Sequence, residues 1–165
     1  MFQKRICTKI VSLLLVIGCL MSEPVLAEKQ KEPEAQTLYS KSCAMVDGDS
    51  GRLLYGKEAQ TALPNASTTK ILTAYIIIRN CDLDDKVTVS ADAIANMADS
   101  SKCGLAAGDV LTVRDLLYGL LLVSGNDAAN VLAEYYSGSI DKFAEEMNRE
   151  AKALGATQSH FVNAN

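Results

Sequence analysis

The sequence predicts an α+β fold in which an N-terminal β-hairpin precedes a cluster of helices. Two short apolar strands, at 43–46 and 52–55, flank the strong turn sequence Asp-Gly-Asp-Ser-Gly. After Asn80 the apolar residues recur with helical spacing, and helix-capping residues separate the segments. Because a hairpin alone is only marginally stable, we expect the remaining sheet strands to lie beyond Asn165. The 165-residue chain is therefore predicted to be a truncated form of a longer domain.

Helix start and stop signals divide the rest of the chain into segments. The first predicted helix is apolar on nearly every side, so we expect it to be buried. Capping residues and a following glycine mark the ends of the others. The predicted segments are 67–80, a short helix after Ser90, one opened by the capping box Thr112–Asp115, one opened by Asn126 or Asp127 and closed by Gly138, and 141–154 followed by Gly155.

Residues 1–27 are predicted to be an export signal. Three basic residues up to Lys9 precede an apolar stretch at 10–21, and Val25-Leu26-Ala27 supplies small side chains for cleavage by a signal peptidase. The alternative is a lipobox at Val16-Ile17-Gly18-Cys19, which would leave a lipid anchor on Cys19. Both alternatives predict an exported, extracytoplasmic protein at the cell wall or the membrane surface.

The rest of the chain is predicted to contain a disordered leader at 28–41 and one incomplete domain at 42–165. The formal net charge of the whole chain is −4 at pH 7. Removing the basic export signal makes the remainder more acidic still. This charge argues against a surface for nucleic acid, whose phosphates require basic side chains.

The cysteines and the histidine give no sign of a metal site. Cys43, Cys81 and Cys103 follow the export signal, and an odd number argues against a complete disulfide framework. The chain has no Cys/His spacing typical of zinc, and its single histidine, His160, cannot provide one. We expect no metal, no cofactor and no catalytic role for His160.

Ser67 and Lys70 are the first candidate catalytic pair. Residues three apart lie on one face of a helix, so the lysine can reach back to the serine hydroxyl. A serine nucleophile needs an adjacent base, and burial favours the neutral, basic form of a lysine. The alternative interpretation is that Ser67 only caps the helix, which is a preferred position for serine.

Ser124-Gly125-Asn126 is the second candidate motif. The hydroxyl of Ser124 is suited to relay a proton between Lys70 and a leaving group, and the amide of Asn126 to hold Lys70 or a substrate carbonyl. The alternative is an ordinary turn between two helices, with Asn126 as a cap. The two motifs together favour catalysis more strongly than either motif does alone.

These motifs and their surroundings resemble one known family. The segments PNASTTKILTAY, LTVRDLLYGLLLVSGNDAANVLAE and HFVNAN, together with the hairpin segment AMVDGDSGRLLYGKEAQTALPNAS, resemble the penicillin-binding D-alanyl-D-alanine carboxypeptidases. These are low-molecular-weight serine peptidases of cell-wall maturation. The resemblance covers essentially all of 42–165 and implies a DD-peptidase/β-lactamase-like fold.

The resemblance also implies a role for each candidate residue. Ser67 would be the acylated nucleophile, Lys70 its general base, Ser124 a proton relay and Asn126 a substrate-binding residue. The implied reaction removes the terminal D-Ala from peptidoglycan stem peptides through an acyl-enzyme. β-Lactams, which mimic the D-Ala-D-Ala bond, would be covalent inhibitors acting on the same serine.

The chain departs from the family pattern in three places. The third family motif, Lys-Thr-Gly or a close variant, occurs nowhere in the 165 residues. Its lysine binds the substrate carboxylate, and a backbone N–H nearby completes the oxyanion hole. Since one oxyanion donor is worth about 10²–10³ in rate, we expect a penicillin to label this chain weakly or not at all. Asn163-Ala164 replaces the usual Asn-Pro, and the loop at 99–109 also differs.

Two other functions stay open on sequence alone. A class A-like β-lactamase would share the fold, but the second motif here is Ser-Gly-Asn rather than Ser-Asp-Asn, and the chain contains no Glu-x-x-Leu-Asn stretch. A non-catalytic remnant that binds peptidoglycan would explain the absence of the third motif.

Overall fold

The structure is a computed structural model that describes residues 38–95, 97 and 100–165. The chain divides into two compact units between Ala62 and Leu63. The predicted export signal and the leader as far as residue 37 lie outside the described residues. The domain boundaries drawn from the sequence therefore stay predictions.

The first unit contains the predicted hairpin. Strand β1 (Cys43–Val46) pairs in antiparallel orientation with β2 (Leu53–Lys57), and the register shifts once near the turn. In the turn, a carboxylate oxygen of Asp47 accepts the N–H of Ser50 at 2.8 Å, and the Asp47 carbonyl accepts the N–H of Gly51 at 2.9 Å. Gly51 has φ 68°, a conformation that favours glycine. The turn sequence thus predicted the hairpin correctly, although β2 runs two residues further than expected.

Lys57, at the end of β2, holds the chain that precedes the hairpin. Its Nζ donates hydrogen bonds to the carbonyl oxygens of Leu38 at 2.8 Å and Ser40 at 2.7 Å. The last residues of the predicted leader are therefore tied to the hairpin.

The second unit combines helices with a small sheet. A 3-10 turn at Ala66–Thr68 leads directly into the first helix. In the described residues of this unit, the elements are α1 (Thr69–Asn80), β3 (Lys86–Thr88), β4 (Val110–Thr112), α2 (Val113–Leu122), α3 (Asn126–Ser137) and α4 (Ile140–Ala153).

The prediction that the chain is helical throughout after Asn80 is wrong. Strands β3 and β4 form an antiparallel pair. Strand β3 has only three residues, and only the central one, Val87, is buried. Such a short stretch cannot be recognised as a strand from alternation in the sequence. The predicted helix after Ser90 is also wrong: the serine hydroxyl accepts the N–H of Ala93 at 3.0 Å, but residues 91–95 form turns.

Most helix ends lie close to their predicted positions. The capping box at α2 is confirmed, because Thr112 Oγ1 accepts the N–H of Asp115 at 3.1 Å and Asp115 Oδ2 accepts the N–H of Thr112 at 3.2 Å. Gly138 follows α3 with φ 78°, and Gly155 follows α4 with φ 87°. Both glycines take the left-handed conformation that ends helices. The start of α4 was missed by one residue, because Ser139 caps it.

The four helices enclose the core of the second unit. The largest fully buried apolar side chains are Ile76 and Ile77 of α1, Val113, Leu116 and Leu120 of α2, Val131 and Leu132 of α3, and Phe143 and Met147 of α4. Helix α1 is not buried on every side as predicted, because Ile71 is 68% exposed and Ile78 is 52% exposed. One face of α1 is nevertheless buried, including Thr73, Ala74, Ile76 and Ile77, and the candidate catalytic lysine lies on this face.

The last residues of the chain lie against these helices. Thr73 of α1 donates its hydroxyl to the carbonyl of Ala164 at 2.7 Å, and Ala164 is fully buried. His160, just before this segment, is exposed. Within the described ranges, no helix has the length and apolar character needed to cross a membrane.

Candidate active site

Ser67 does not cap α1. It lies inside the 3-10 turn, and the residue at the N-cap of α1 is Thr68, whose side chain makes no capping hydrogen bond. The Thr68 hydroxyl instead donates to the carbonyl of Asn65 at 2.6 Å. Ala66, just before the serine, has φ 47°, which is unusual for a residue with a side chain. The tight turn leaves Ser67 exposed. The interpretation of this serine as an N-cap is therefore wrong.

Lys70 lies one turn further along and is buried. The residue is only 3% exposed, and its Nζ lies 3.3 Å from Ser67 Oγ and 2.6 Å from Asn126 Oδ1. Desolvation by burial lowers the pKa of Lys70 below its ordinary value of 10.5. None of the ion pairs among the described residues involves this lysine. Burial thus shifts Lys70 towards the neutral amine, the form that can accept a proton.

Asn126 approaches Lys70 from the start of a different helix. Gly125 occupies the N-cap of α3 without a side-chain cap, so the alternative interpretation of Asn126 as a capping residue is wrong. The Asn126 N–H donates to the carbonyl of Ser101 at 2.8 Å, and the Gly125 N–H donates to the carbonyl of Gly119 at 3.0 Å. These contacts fix the backbone of the turn and leave the Asn126 side chain free to bind Lys70.

Ser124 has an unusual conformation and environment. Its φ is 57°, a left-handed value that is costly for a residue with a side chain. Its hydroxyl oxygen is buried, and among the described residues it finds no hydrogen-bond partner. The structure therefore brings together Ser67, Lys70 and Asn126, whereas the proton-relay role of Ser124 stays a prediction. Most buried hydroxyls in native proteins have a hydrogen-bond partner, so the environment of Ser124 calls for an explanation.

The arrangement pairs a hydroxyl with an adjacent amine, two of the groups that nucleophilic catalysis by a serine requires. The exposed hydroxyl of Ser67 is accessible to a substrate, and the buried amine of Lys70 is within hydrogen-bonding reach of it. The amide oxygen of Asn126 fixes the amine from the other side. Across the described ranges, no three His, Cys, Asp or Glu side chains are grouped so that they could hold a metal ion.

Two residues behind this site, Asp127 and Cys103, were not predicted to contribute to it. The sequence indicated Asp127 only as a possible helix start and Cys103 only as one of three cysteines that do not form a complete disulfide framework. In the structure the Asp127 carboxylate is 2% exposed and binds the backbone of the loop that carries Cys103. The feature of the sequence that could have pointed to Asp127 is its position directly after the second motif.

Comparison with known proteins places the chain in a family. Residues 28–165 match the model of the peptidase S11 family, described as D-alanyl-D-alanine carboxypeptidase. The D-alanyl-D-alanine carboxypeptidase DacF of Bacillus subtilis is 36% identical over 159 residues, which cover 92% of this chain and 40% of the relative. DacB2 of Mycobacterium tuberculosis is 44% identical over 116 residues, covering 70% of this chain and 39% of that protein.

The solved structures agree with the sequence matches. Penicillin binding protein 6B from Escherichia coli superposes with a TM-score of 0.74 at 33% identity, covering 84% of this chain and 46% of that one. The predicted fold is thereby confirmed for the matched part. The chain spans about two fifths of the length of the two curated relatives above. It belongs to the peptidase S11 family of D-alanyl-D-alanine carboxypeptidases.

Proposed function

We propose that the protein carrying these residues is a serine-type D-alanyl-D-alanine carboxypeptidase. Its substrate would be the stem peptide of peptidoglycan, from which it removes the terminal D-Ala. The observation that carries this proposal is the buried amine of Lys70, held between Ser67 Oγ at 3.3 Å and Asn126 Oδ1 at 2.6 Å. Family membership supplies the substrate class, because the matching relatives are named for this reaction.

The first half of the reaction is acylation of Ser67. The neutral amine of Lys70 accepts the hydroxyl proton as the serine oxygen attacks the carbonyl carbon between the two D-Ala residues. The tetrahedral intermediate collapses, the C–N bond breaks, and the leaving D-Ala nitrogen takes up a proton. Ser124 is the proposed relay for that proton. The product is an ester between Ser67 and the shortened peptide.

The second half of the reaction is hydrolysis of this ester. Lys70 accepts a proton from a water molecule that attacks the ester carbonyl, and the proton then returns to Ser67 as the acid is released. Asn126 supports both halves. A neutral amine has two N–H groups and one lone pair, so donating one N–H to Asn126 Oδ1 leaves the lone pair available for the serine hydroxyl.

The partners and the location follow from the same proposal. Peptidoglycan stem peptides are the substrates, and β-lactams are covalent inhibitors that acylate Ser67. One structural neighbour, from Escherichia coli, is named penicillin binding protein 6B, which supports the second point. The basic and apolar pattern of 1–27 supports export to the cell wall or the membrane surface.

Labelling with a fluorescent penicillin tests the proposal. The full-length protein that contains these residues, called wild type in the experiments below, should be labelled, and mass spectrometry should locate the adduct on the peptide that contains Ser67. The variant Ser67→Ala should fold and lose all labelling. His160→Ala is the matched control and should be labelled within a few-fold of wild type. Labelling that survives Ser67→Ala would refute the assignment of the nucleophile.

Two other outcomes would favour the competing functions. Rapid turnover of the β-lactam without a persistent adduct would indicate a β-lactamase. A folded protein that binds purified peptidoglycan, is not labelled and releases no D-Ala would indicate a non-catalytic binding protein. Release of D-Ala from a stem pentapeptide, dependent on Ser67, distinguishes the proposed carboxypeptidase from both.

A further inference from the structure

The loop around Cys103 is packed directly against the second motif. The Cys103 thiol occupies a notch between Gly119 of α2 and Gly125 of the turn. A Cβ atom added at Gly119 would lie 2.5 Å from Cys103 Sγ, and one added at Gly125 would lie 2.4 Å from it. Neither glycine has a positive φ, so the notch requires glycine for space and not for backbone conformation.

The Asp127 carboxylate holds this loop in place. It is 2% exposed and accepts four backbone N–H groups, from Cys103, Gly104 and Ala128 at 2.9 Å each and from Leu105 at 3.1 Å. Burial raises the pKa of Asp127, but these hydrogen bonds outweigh burial and hold it below the ordinary value of 3.8. The carboxylate therefore stays charged, and it binds the backbone of the loop instead of a cation.

Three parts of the chain thus converge on the turn at 124–126. Helix α2 accepts the Gly125 N–H through the carbonyl of Gly119, and the loop accepts the Asn126 N–H through the carbonyl of Ser101. Asp127 follows Asn126 directly and binds the same loop. The side chain of Asn126 then reaches Lys70 Nζ at 2.6 Å.

We propose that the Cys103 thiol and the Asp127 carboxylate are positioning groups, which hold the 124–126 turn so that Asn126 meets Lys70. The consequence for acylation rests on the proposed function. The consequence for the geometry does not, because it can be measured without any reaction. Displacing the turn would move Asn126 away from the amine, and an error of about 1 Å in such a site costs about 10²-fold in rate.

Substitutions that remove the Cys103 thiol and refill its space test the role of the notch. In Gly119→Ala the new methyl group displaces the thiol, whereas its next neighbours, Ala128 Cβ at 3.5 Å and Cys103 Cβ at 3.7 Å, are at ordinary contact distance. We expect Gly119→Ala and Cys103→Ala each to slow penicillin acylation. The double variant should recover most of the rate, because the methyl fills the space of the thiol.

Gly125→Ala is the matched control for this exchange. Its added Cβ would lie 2.9 Å from Asp127 Oδ1 and 3.1 Å from the Gly119 carbonyl oxygen, both of which remain when the thiol is removed. Combining Gly125→Ala with Cys103→Ala should therefore give no recovery. Equal recovery in both double variants would contradict the specific role of the notch.

Nuclear magnetic resonance gives a measure that needs no activity. In wild type, the Cε signal of Lys70 should titrate below pH 10.5, and the side-chain amide of Asn126 should give a distinct shift. Asp127→Asn and Gly119→Ala should move the Lys70 titration upwards, towards 10.5, because the displaced turn admits water. Ser139→Ala, which removes the cap of α4, should lower stability without moving either signal.

The two measurements separate the two proposals. If the full-length wild type is not acylated but the Lys70 titration shifts in the variants as expected, the proposed function fails and the positioning role stands. If wild type is acylated but folded Asp127→Asn and Gly119→Ala keep its rate, its Lys70 titration and its Asn126 amide shift, the positioning role is overturned. Should Gly119→Ala not fold, Asp127→Asn and Cys103→Ala decide the result by the same readouts.

Discussion

The candidate site has two walls, one formed by residues close together in the sequence and one held in place by contacts with other segments of the chain. The first wall is the turn at Ala66–Thr68 and the start of α1, where Ser67 and Lys70 lie three residues apart. The second wall is the turn at 124–126, which is held by contacts from distant parts of the chain. Each wall contains one non-glycine residue with positive φ, Ala66 at 47° and Ser124 at 57°.

This difference shows how each wall depends on the rest of the molecule. The contact between Ser67 and Lys70 arises within a single turn of chain, so it should tolerate changes elsewhere in the fold. The position of Asn126 depends on a loop, a buried carboxylate and two glycines, so substitutions outside the motif should alter that position. We therefore expect substitutions outside the second motif to affect the site by displacing Asn126, whereas substitutions outside the first motif should leave the contact between Ser67 and Lys70 largely unchanged.

The largest effect is expected at the first wall, from loss of the base. Lys70→Ala should slow penicillin acylation by about 10²–10⁴-fold, the usual contribution of a general base. Stopped-flow labelling measures this rate. Lys70→Arg is the matched variant, because it keeps a cation that does not lose its proton at working pH, and it should be as slow as Lys70→Ala. A near-normal rate in Lys70→Arg would show that a positive charge, and not a base, is what the site needs.

Ser124→Ala should lower activity and raise stability together. Loss of the proposed relay should cost about 10² in the acylation rate. The same change removes a buried hydroxyl without a partner, so the free energy of unfolding should rise by about 1 kcal/mol. Urea denaturation measures the second effect. A clear loss of stability would mean that the hydroxyl has a structural partner, and would weaken the case for a relay.

Asn126→Asp should change the pH dependence rather than the fold. A carboxylate in place of the amide favours the protonated form of Lys70, so the pKa of Lys70 should rise by about one unit. Acylation at pH 7 should then be about tenfold slower, and the rate profile should move to higher pH. Asn126→Ala removes the contact without adding charge and serves as the control. An upward shift of equal size in the control would exclude this electrostatic explanation.

The sequence predicted the first wall better than the second. Ser67 and Lys70 could be identified because their contact depends on helix periodicity, which is visible in the sequence. Even there, the cap assigned to Ser67 was wrong, since a 3-10 turn and the positive φ of Ala66 begin the segment. Periodicity alone does not distinguish such a turn from the first turn of an α-helix.

The supports of the second wall could not be predicted from local patterns. Cys103 and Gly119 are sixteen positions apart in the sequence, and only the fold makes them neighbours. Strands β3 and β4 were missed for a related reason, because each has three residues and their pairing spans a long loop. The resemblance to a family predicted the roles of the motif residues but gave no role to Asp127 or Cys103.

The central claim is that Lys70 acts on Ser67 as a neutral amine, and the pH dependence of acylation tests it most directly. Below the pKa of a base, its neutral fraction falls tenfold for each unit of pH, so the acylation rate should fall in the same proportion. Because burial lowers the pKa of Lys70, the rate should level off at a midpoint below pH 10.5, matching the titration of the Lys70 Cε signal. A rate that does not change with pH over this range, or a Lys70 midpoint at or above 10.5, would contradict the account.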